Sequence, residues 1–166
     1  MILNLRELAS KDGPVQLHGM LDMSELVSGR RDIRIEEPVK ADLTALWDAG
    51  LAKVEGTLKA KLELVCSKCL KAFTEDIGYP VGEMFTQQRS IADKDEDVHL
   101  VHDERVDLVP HLKDSLLVQL PLAPSCDTAC EGLCPVCGTD RNAQSCDCEQ
   151  ETIDPRLAGL KDFFNR

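Results

Sequence analysis

The chain has 166 residues, the size of one domain or of one domain with a small additional module. Its net charge of −11 argues against non-specific wrapping of nucleic acid, because that affinity comes from neutralised phosphates. It contains no apolar run of about 18 residues and no basic region followed by an apolar stretch at its start, so we expect no membrane span and no secretory signal. We therefore expect a cytoplasmic protein.

An antiparallel hairpin is the clearest predicted element. Apolar and polar residues alternate from Val39 to Trp47 and again from Val54 to Leu64. The intervening Asp48-Ala49-Gly50 has turn chemistry, since Gly50 readily adopts a positive φ. The pattern predicts a hairpin over residues 39–65 with one face in the core and one in water. A further alternating run, Phe73 to Val81, predicts a third strand.

Helices are predicted on both sides of a short strand near residues 98–101. Near the N-terminus, Asn4 and Glu7 have the spacing of a capping box. Asp107 is placed to cap a helix near residues 108–119, with Pro110 in its first turn. Four leucines at i+4 spacing give that helix one apolar face: Leu108, Leu112, Leu116 and Leu120. Asp154-Pro155 predicts the start of a short C-terminal helix.

These elements predict an α+β fold, an antiparallel β-sheet body with one or two helices and a C-terminal Cys-rich zinc-knuckle module. We place the β-rich body at residues 1–125, and the zinc module with its short helix at residues 126–166. Charge is divided in the same sense, with a net −2 over residues 1–90 and −9 over residues 91–166.

The eight cysteines fall into four closely spaced pairs, which is the strongest chemical signal in the chain. The pairs are Cys66 and Cys69, Cys126 and Cys130, Cys134 and Cys137, and Cys146 and Cys148. A C-x-x-C turn places both sulfurs on one side of a tight loop, and two such pairs complete a tetrahedral site. In a reducing compartment paired thiols favour metal over disulfides, so the pattern predicts two structural Zn²⁺ ions.

The spacing leaves two ways to group the pairs. In the first, Cys134, Cys137, Cys146 and Cys148 form a compact module, and the other four cysteines join the tail to the hairpin. In the rival grouping, residues 126–137 hold one ion, and Cys66 and Cys69 share the other with Cys146 and Cys148. We favour the first, because a single ion would crowd the loop around Leu133. An iron–sulfur cluster and eight unconnected buried thiols are the alternatives to zinc.

No catalytic constellation is found, so the sequence predicts a protein that is not an enzyme and has no small-molecule substrate. A closed Cys₄ site has no open coordination position, and the deaminase, hydrolase, phosphate-loop and H-E-x-x-H motifs are missing. The four histidines, which are distant from the cysteines in sequence, are interpreted as surface or helix residues: His18, His99, His102 and His111.

A basic patch runs against the net charge. Its lysines are on the polar face of the hairpin or next to the first cysteine pair: Lys40, Lys53, Lys59, Lys61, Lys68 and Lys71. One interpretation is a nucleic-acid face that binds phosphates. The other is an ordinary solvated sheet face, since Asp42, Glu55 and Glu63 are interspersed with the lysines.

In its ordered motifs the chain resembles the YceD family of large ribosomal RNA subunit accumulation proteins. The motifs are Val65-Cys-Ser-Lys-Cys-Leu-Lys-Ala-Phe73, Gly132-Leu-Cys-Pro-Val-Cys-Gly138, Cys146-Asp-Cys148 and Asp154-Pro-Arg-Leu157. The resemblance implies a non-enzymatic factor in ribosome assembly that binds large-subunit ribosomal RNA or a pre-ribosomal particle. The acidic half would suit a basic ribosomal protein as a further partner.

Two other functions remain open from the residues. One is a zinc-dependent redox switch, in which oxidation of the thiolates releases zinc and exposes Leu157, Leu160 and Phe164. The other is a zinc-stabilised protein-interaction module without RNA contact. Phosphate binding weakens steeply with salt, which would separate RNA binding from this last alternative.

Overall fold

The computed structural model describes residues 1–148. Eight strands and three α-helices follow along this part of the chain. They are β1 (Ile2–Asn4), α1 (Leu5–Ala9), β2 (Val15–Leu21), β3 (Ile33–Ile35), β4 (Val39–Asp48), β5 (Leu51–Val65), β6 (Ala72–Thr86), α2 (Arg89–Ala92), β7 (Val98–Leu100), β8 (Arg105–Asp107) and α3 (Val109–Gln119). A 3-10 helix at Ser24–Val27 precedes β3.

The predicted hairpin is present as β4 and β5. Asp48 pairs with Leu51, so Ala49 and Gly50 form a two-residue loop. Their φ angles are 48° and 91°, and two positive values in succession are what a type I′ hairpin turn requires. The alternation predicted from sequence is also observed: Val39, Ala41, Leu43 and Ala45 of β4 are buried, whereas Leu46 between them and Trp47 is exposed, and the predicted apolar face of β5 is buried.

The hairpin is the centre of a six-stranded sheet with the order β2-β4-β5-β6-β7. β5 is five residues longer than β4, and β3 pairs with the remainder of the same edge, Ile33 opposite Leu64. All neighbours are antiparallel except β7, which runs parallel to β6. The antiparallel sheet predicted from sequence is therefore confirmed with one exception at its β7 edge.

Helix α3 and the N-terminal segment belong to the apolar core on the inner face of this sheet. The four leucines of the predicted helical face are all buried, with Leu112 and Leu116 fully enclosed. The cap of the helix lies one residue later than predicted. Leu108 occupies the cap position, while Asp107 Oδ1 still accepts the Val109 N–H at 3.1 Å.

The N-terminus is held by short elements, of which sequence analysis anticipated only the helix cap. β1 pairs with β8, and Asn4 Oδ1 caps α1 by accepting the N–H groups of Arg6 and Glu7. Strands β2 and β3 were not predicted.

No helix within residues 1–148 has the length and apolar composition to cross a membrane. The predicted helix at Asp154-Pro155 lies outside the described residues, and the boundary between residues 125 and 126 stays a prediction.

Candidate metal centres

The first group of thiols joins two remote parts of the chain. Cys66 and Cys69 lie in the turn between β5 and β6, and Cys126 and Cys130 come from the segment after α3. The Sγ atoms are 3.9 Å apart for Cys66 and Cys130, and 3.6 Å apart for Cys69 and Cys126. Tetrahedral zinc with Zn–S bonds of about 2.3 Å separates its sulfurs by about 3.8 Å, so the spacing fits that ion.

The second group consists of Cys134, Cys137, Cys146 and Cys148, whose sulfurs all lie within 4.8 Å of one another. All four come from fifteen consecutive residues. Only Cys134 is buried in this group, whereas three of the four cysteines in the first group are buried. The structure thus groups the eight thiols in the first of the two predicted ways.

Both C-x-x-C turns have the same backbone geometry. The Leu70 N–H donates to the Cys66 carbonyl, and the Gly138 N–H donates to the Cys134 carbonyl, each at 2.9 Å. In both turns the residue after the second cysteine has a positive φ, 60° at Leu70 and 75° at Gly138. This conformation turns backbone N–H groups toward the sulfurs, so each turn is prepared to hold a thiolate.

Within each group, the pKa of one thiol is lowered and the pKa of another is raised. The backbone N–H groups of Cys126 and Cys69 lower the pKa of Cys66 to about 5, whereas the adjacent Cys69 sulfur raises the pKa of Cys126 to about 12. In the second group the Thr139 hydroxyl lowers the pKa of Cys137 to about 6, and the Cys137 sulfur raises the pKa of Cys148 to about 12. Each group therefore accepts a first negative charge and resists further ones, a repulsion that a divalent cation removes.

The two groups are joined by direct contacts. The Leu133 N–H donates to the Lys68 carbonyl at 2.9 Å, and Lys71 Nζ lies 2.6 Å from Asp140 Oδ2. This ion pair, together with Asn142, lowers the pKa of Asp140 to about 2. The backbone at Gly132 lies so close to the backbone at Lys68 that a Cβ added to Gly132 would be 2.8 Å from the Lys68 carbonyl oxygen.

The lysines of the predicted basic patch are exposed or half-buried, and most have acidic partners. Lys40 and Lys59 both approach Asp42 Oδ2, at 3.1 and 3.7 Å. Lys61 pairs with Glu37 at 2.8 Å, and Lys53 pairs with Asp48 at 2.9 Å. Lys68 Nζ donates to the Cys130 carbonyl at 3.3 Å, while Lys71 has the Asp140 contact described above. Most of the positive charge of the patch is therefore balanced by neighbouring carboxylates.

Three lysines line a groove on the solvent face of the sheet. Met20, Lys40, Lys59 and Gly78 stand in one row across four strands, and Lys61 lies opposite Asp76 beside them. The groove has a volume of about 500 Å³ and is open to solvent.

One group of candidate ligands was not predicted from the sequence. Glu83, His99 and His111 bring a carboxylate oxygen and two imidazole nitrogens within 4.8 Å of one another. The histidines themselves gave no signal, because their proximity depends on how β7 and α3 pack. Glu83 did give one, since it is an acidic residue between the apolar Val81 and Phe85 on the inward face of β6.

Residues 54–164 match the family described as "Large ribosomal RNA subunit accumulation protein YceD". The chain belongs to the YceD family. The match begins within β5 and includes all eight cysteines. The resemblance found in the sequence motifs is thus confirmed.

Several curated proteins are similar to this YceD-family chain. YlbN of Bacillus subtilis is 29% identical over 151 residues, which are 88% of this chain and 86% of that protein. Rv2926c of Mycobacterium tuberculosis is 34% identical over 114 residues, 67% of this chain and 55% of its own length. The chloroplastic Arabidopsis thaliana protein named Large ribosomal RNA subunit accumulation protein YCED homolog 1 is 20% identical over 146 residues. The chain spans about half the length of the mycobacterial and plant relatives. No solved structure matches.

Proposed function

We propose that this protein supports the accumulation of large-subunit ribosomal RNA by binding that RNA within a pre-ribosomal particle, in the cytoplasm and without catalysing a reaction. The observation that carries the proposal is the YceD-family match over residues 54–164, which spans most of β5, all of β6 and β7, and both groups of thiols. The name of the Arabidopsis relative supports the same role.

Two structural Zn²⁺ ions form part of the proposal. Each ion would be held by one Cys₄ group, and a closed tetrahedron of thiolates leaves no position for substrate or water. The Sγ distances of 3.9 and 3.6 Å support zinc at the first group, and the clustering of all four sulfurs within 4.8 Å supports it at the second. The mutual repulsion of the thiolates supports zinc at both. Binding free energy at such sites, about 10 kcal/mol or more for zinc-finger peptides, becomes folding free energy.

The solvent face around Lys40, Lys59 and Lys61 is the proposed contact with ribosomal RNA. Exposed ion pairs contribute no more than about 1 kcal/mol, so phosphates can replace Asp42 and Glu37 as partners. The same acidic residues keep the groove close to neutral, which disfavours tight binding to RNA alone. A particle would offer phosphates together with a basic ribosomal protein, to which the acidic remainder of the chain is complementary.

The test is to purify the native protein from its own cells and to measure bound metal and co-purifying RNA on one sample. We expect two zinc ions per chain and large-subunit ribosomal RNA that is lost steeply as salt rises. Replacing Lys40, Lys59 and Lys61 together by alanine should reduce the RNA severalfold. Lys113→Ala, a lysine of α3 outside the groove, should leave the RNA unchanged.

The RNA proposal is overturned if no large-subunit RNA accompanies the wild-type protein, or if the triple variant retains all of it. Zinc with a basic ribosomal protein and no RNA would make the protein a zinc-stabilised interaction module. Depletion of the protein from cells should also lower the ratio of large-subunit to small-subunit ribosomal RNA.

A zinc-dependent redox switch is the second candidate, because Cys126 and Cys137 expose their side chains to solvent. Metal-bound thiolates remain oxidisable, and exposure determines which are attacked first. Mild peroxide should then release zinc and change the RNA or protein partners bound. Zinc retained under peroxide that oxidises a free thiol would eliminate this candidate.

A further inference from the structure

A carboxylate occupies a core-facing position of β6. Val54 is fully buried and stands opposite Glu83, and the neighbouring inward residues Val81 and Phe85 are buried as well. The Glu83 side chain is only 14% exposed. A carboxylate removed from water to this extent requires a partner that compensates for the lost hydration.

Two histidines from other elements converge on this carboxylate. His99 of β7 pairs in register with Phe85, which places it beside Glu83, and its Nε2 lies 2.8 Å from Glu83 Oε2. His111 of α3 approaches from the helical layer, with its ring centroid 4.4 Å from that of His99. Phe85 packs against both imidazoles, at centroid distances of 5.2 and 4.9 Å, and so limits their positions.

We propose that Glu83, His99 and His111 form a third metal site, which binds one divalent ion of the zinc type through three protein ligands and one water. The three donor atoms already lie within 4.8 Å of one another. Tetrahedral zinc with bonds of about 2.0–2.1 Å places its nitrogen and oxygen ligands about 3.4 Å apart. The site is completed when Glu83 Oε2 and His99 Nε2 move apart from 2.8 Å to admit the ion between them and His111. His99 is 40% exposed, which leaves a side open for the water ligand.

The surroundings favour a cation at this point. Asp107 and Asp114 act on His111 electrostatically together with Glu83, so three carboxylates contribute negative potential. Nitrogen and carboxylate donors of this kind suit zinc and related ions.

A simple hydrogen bond between histidine and carboxylate does not need this third donor. The protein contains such a pair on the solvent face of the sheet, where His18 Nδ1 lies 3.0 Å from Asp42 Oδ1. The His18 side chain is 60% exposed. Because His18 and Asp42 belong to no group of three ligands in the described residues, this pair is a matched control.

The proposed site differs from the Cys₄ groups in what it connects. β7 is attached to the sheet by three parallel residue pairs, and α3 covers the inner face of β6. An ion bound here would join β6, β7 and α3 at one point. Three protein ligands and an open position also make the ion exchangeable, unlike one enclosed by four thiolates.

The test is a calorimetric titration of the full chain with ZnCl₂. A weak chelator first removes exchangeable ions and leaves the metal at the thiol sites in place. The wild-type protein should bind one further equivalent. Glu83→Gln, which keeps the side-chain shape, and His111→Ala should each weaken that equivalent at least about 10-fold. His18→Ala should bind as the wild type does.

A second measurement follows the histidine ring resonances by NMR during the same titration. Zinc should shift the signals of His99 and His111 and leave those of His18 in place. The proposal is overturned if the wild-type protein binds no further equivalent, or if Glu83→Gln and folded His111→Ala both bind it unchanged. Comparison between variants does not depend on what occupies the thiol sites, because all of them retain the eight cysteines.

Discussion

The two Cys₄ groups have the same ligands and the same C-x-x-C backbone, yet they differ in position within the fold. The first group lies at the end of the central sheet, with three of its four cysteines buried, and it draws ligands from segments 57 residues apart. The second is local, more exposed, and packs on the first through Leu133 and Lys71. The same chemical unit thus connects distant segments in one place and orders a short loop in another.

Loop closure gives this difference a magnitude. A cross-link constrains the unfolded chain more when it closes a longer loop. For loops of the sizes closed here, the chain-entropy relation gives about 4 kcal/mol for the first group and about 2.5 kcal/mol for the second. Metal at the first group should therefore stabilise the whole fold, and metal at the second should stabilise mainly residues 130–148.

The largest predicted effect comes from removing one ligand of each group. Cys69→Ser should lose one zinc and lower the melting temperature of the whole protein, since the β5–β6 turn then loses its connection to the segment after α3. Cys137→Ser should also lose one zinc, but it should disorder only residues near 130–148. Hydrogen exchange read residue by residue, together with circular dichroism and metal analysis, distinguishes the two.

Cys134→Ser tests the same comparison at the buried ligand of the second group. We expect loss of protection near residues 130–148 with the hairpin sheet intact. Loss of the sheet signal in this variant would contradict the separation of the two groups. The separation would also be contradicted if Cys69→Ser and Cys137→Ser both changed hydrogen exchange only locally and to the same extent.

A smaller effect is predicted where the two groups touch. Gly132 and Gly138 both have positive φ, so alanine at either position adds backbone strain of about 1 kcal/mol. Only at Gly132 does the added Cβ also meet backbone, the Lys68 carbonyl oxygen at 2.8 Å, whereas nothing lies within 4 Å at Gly138. Gly132→Ala should therefore cost about 2–3 kcal/mol in the free energy of unfolding, and Gly138→Ala about 1 kcal/mol.

Chemical denaturation of the two zinc-loaded variants measures this difference. If both substitutions cost the same, the close approach of Gly132 to Lys68 does not contribute to stability. If Gly132→Ala also speeds the removal of zinc from the second group alone, the contact positions that group on the first.

The elements with strong local signals were predictable, and those that depend on distant partners were not. The hairpin over residues 39–65 and the leucine face of α3 follow from periodicity, and turn chemistry identified Gly50. Strand β3 has only three residues and exists because β5 extends beyond β4. Such a strand is specified by the free edge of its neighbour, which a local pattern does not contain.

The same distinction holds for the candidate sites. Cysteine spacing predicted both groups of thiols, because each pair is local and the short loops limit how pairs combine. The group of Glu83, His99 and His111 was missed, because its three members come from elements whose contact is set by tertiary packing. Some of the acidic partners of the lysines could be predicted from the sequence, since Asp42 is two residues from Lys40. Others could not, since Glu37 and Lys61 are 24 residues apart and meet only in the folded sheet.

A modest effect is predicted for the ion pair between the two groups. Asp140→Asn keeps an oxygen that accepts from Asn142 and removes the charge that faces Lys71. A chelator should then remove metal from the second group about 2- to 5-fold faster at low salt, and high salt should abolish the difference. Asp48→Asn, which breaks the Lys53 pair within the hairpin, should leave the rate unchanged.

The sign of the pH dependence follows from the lowered pKa of Asp140. A carboxyl whose pKa is about 2 when folded, against about 3.9 when unfolded, stabilises the protein above the unfolded value and loses that contribution as pH falls through the folded one. Between pH 6 and 8 the difference between wild type and Asp140→Asn should therefore be constant. A difference that grows or vanishes across this range would assign the effect to another group.

The smallest predicted effect is a stabilisation at the first C-x-x-C turn. Leu70 has a φ of 60° where the second turn has Gly138, and its side chain is 64% exposed. Leu70→Gly should relieve the left-handed strain with little loss of burial, while the flexibility of glycine in the unfolded chain offsets part of the gain. We expect a net increase of about 0.5 kcal/mol in the free energy of unfolding. Leu122→Gly, at another exposed leucine but without positive φ, should give no increase in the free energy of unfolding. An equal gain at Leu122 would show that the gain at Leu70 comes from the loss of exposed apolar surface and not from relief of backbone strain.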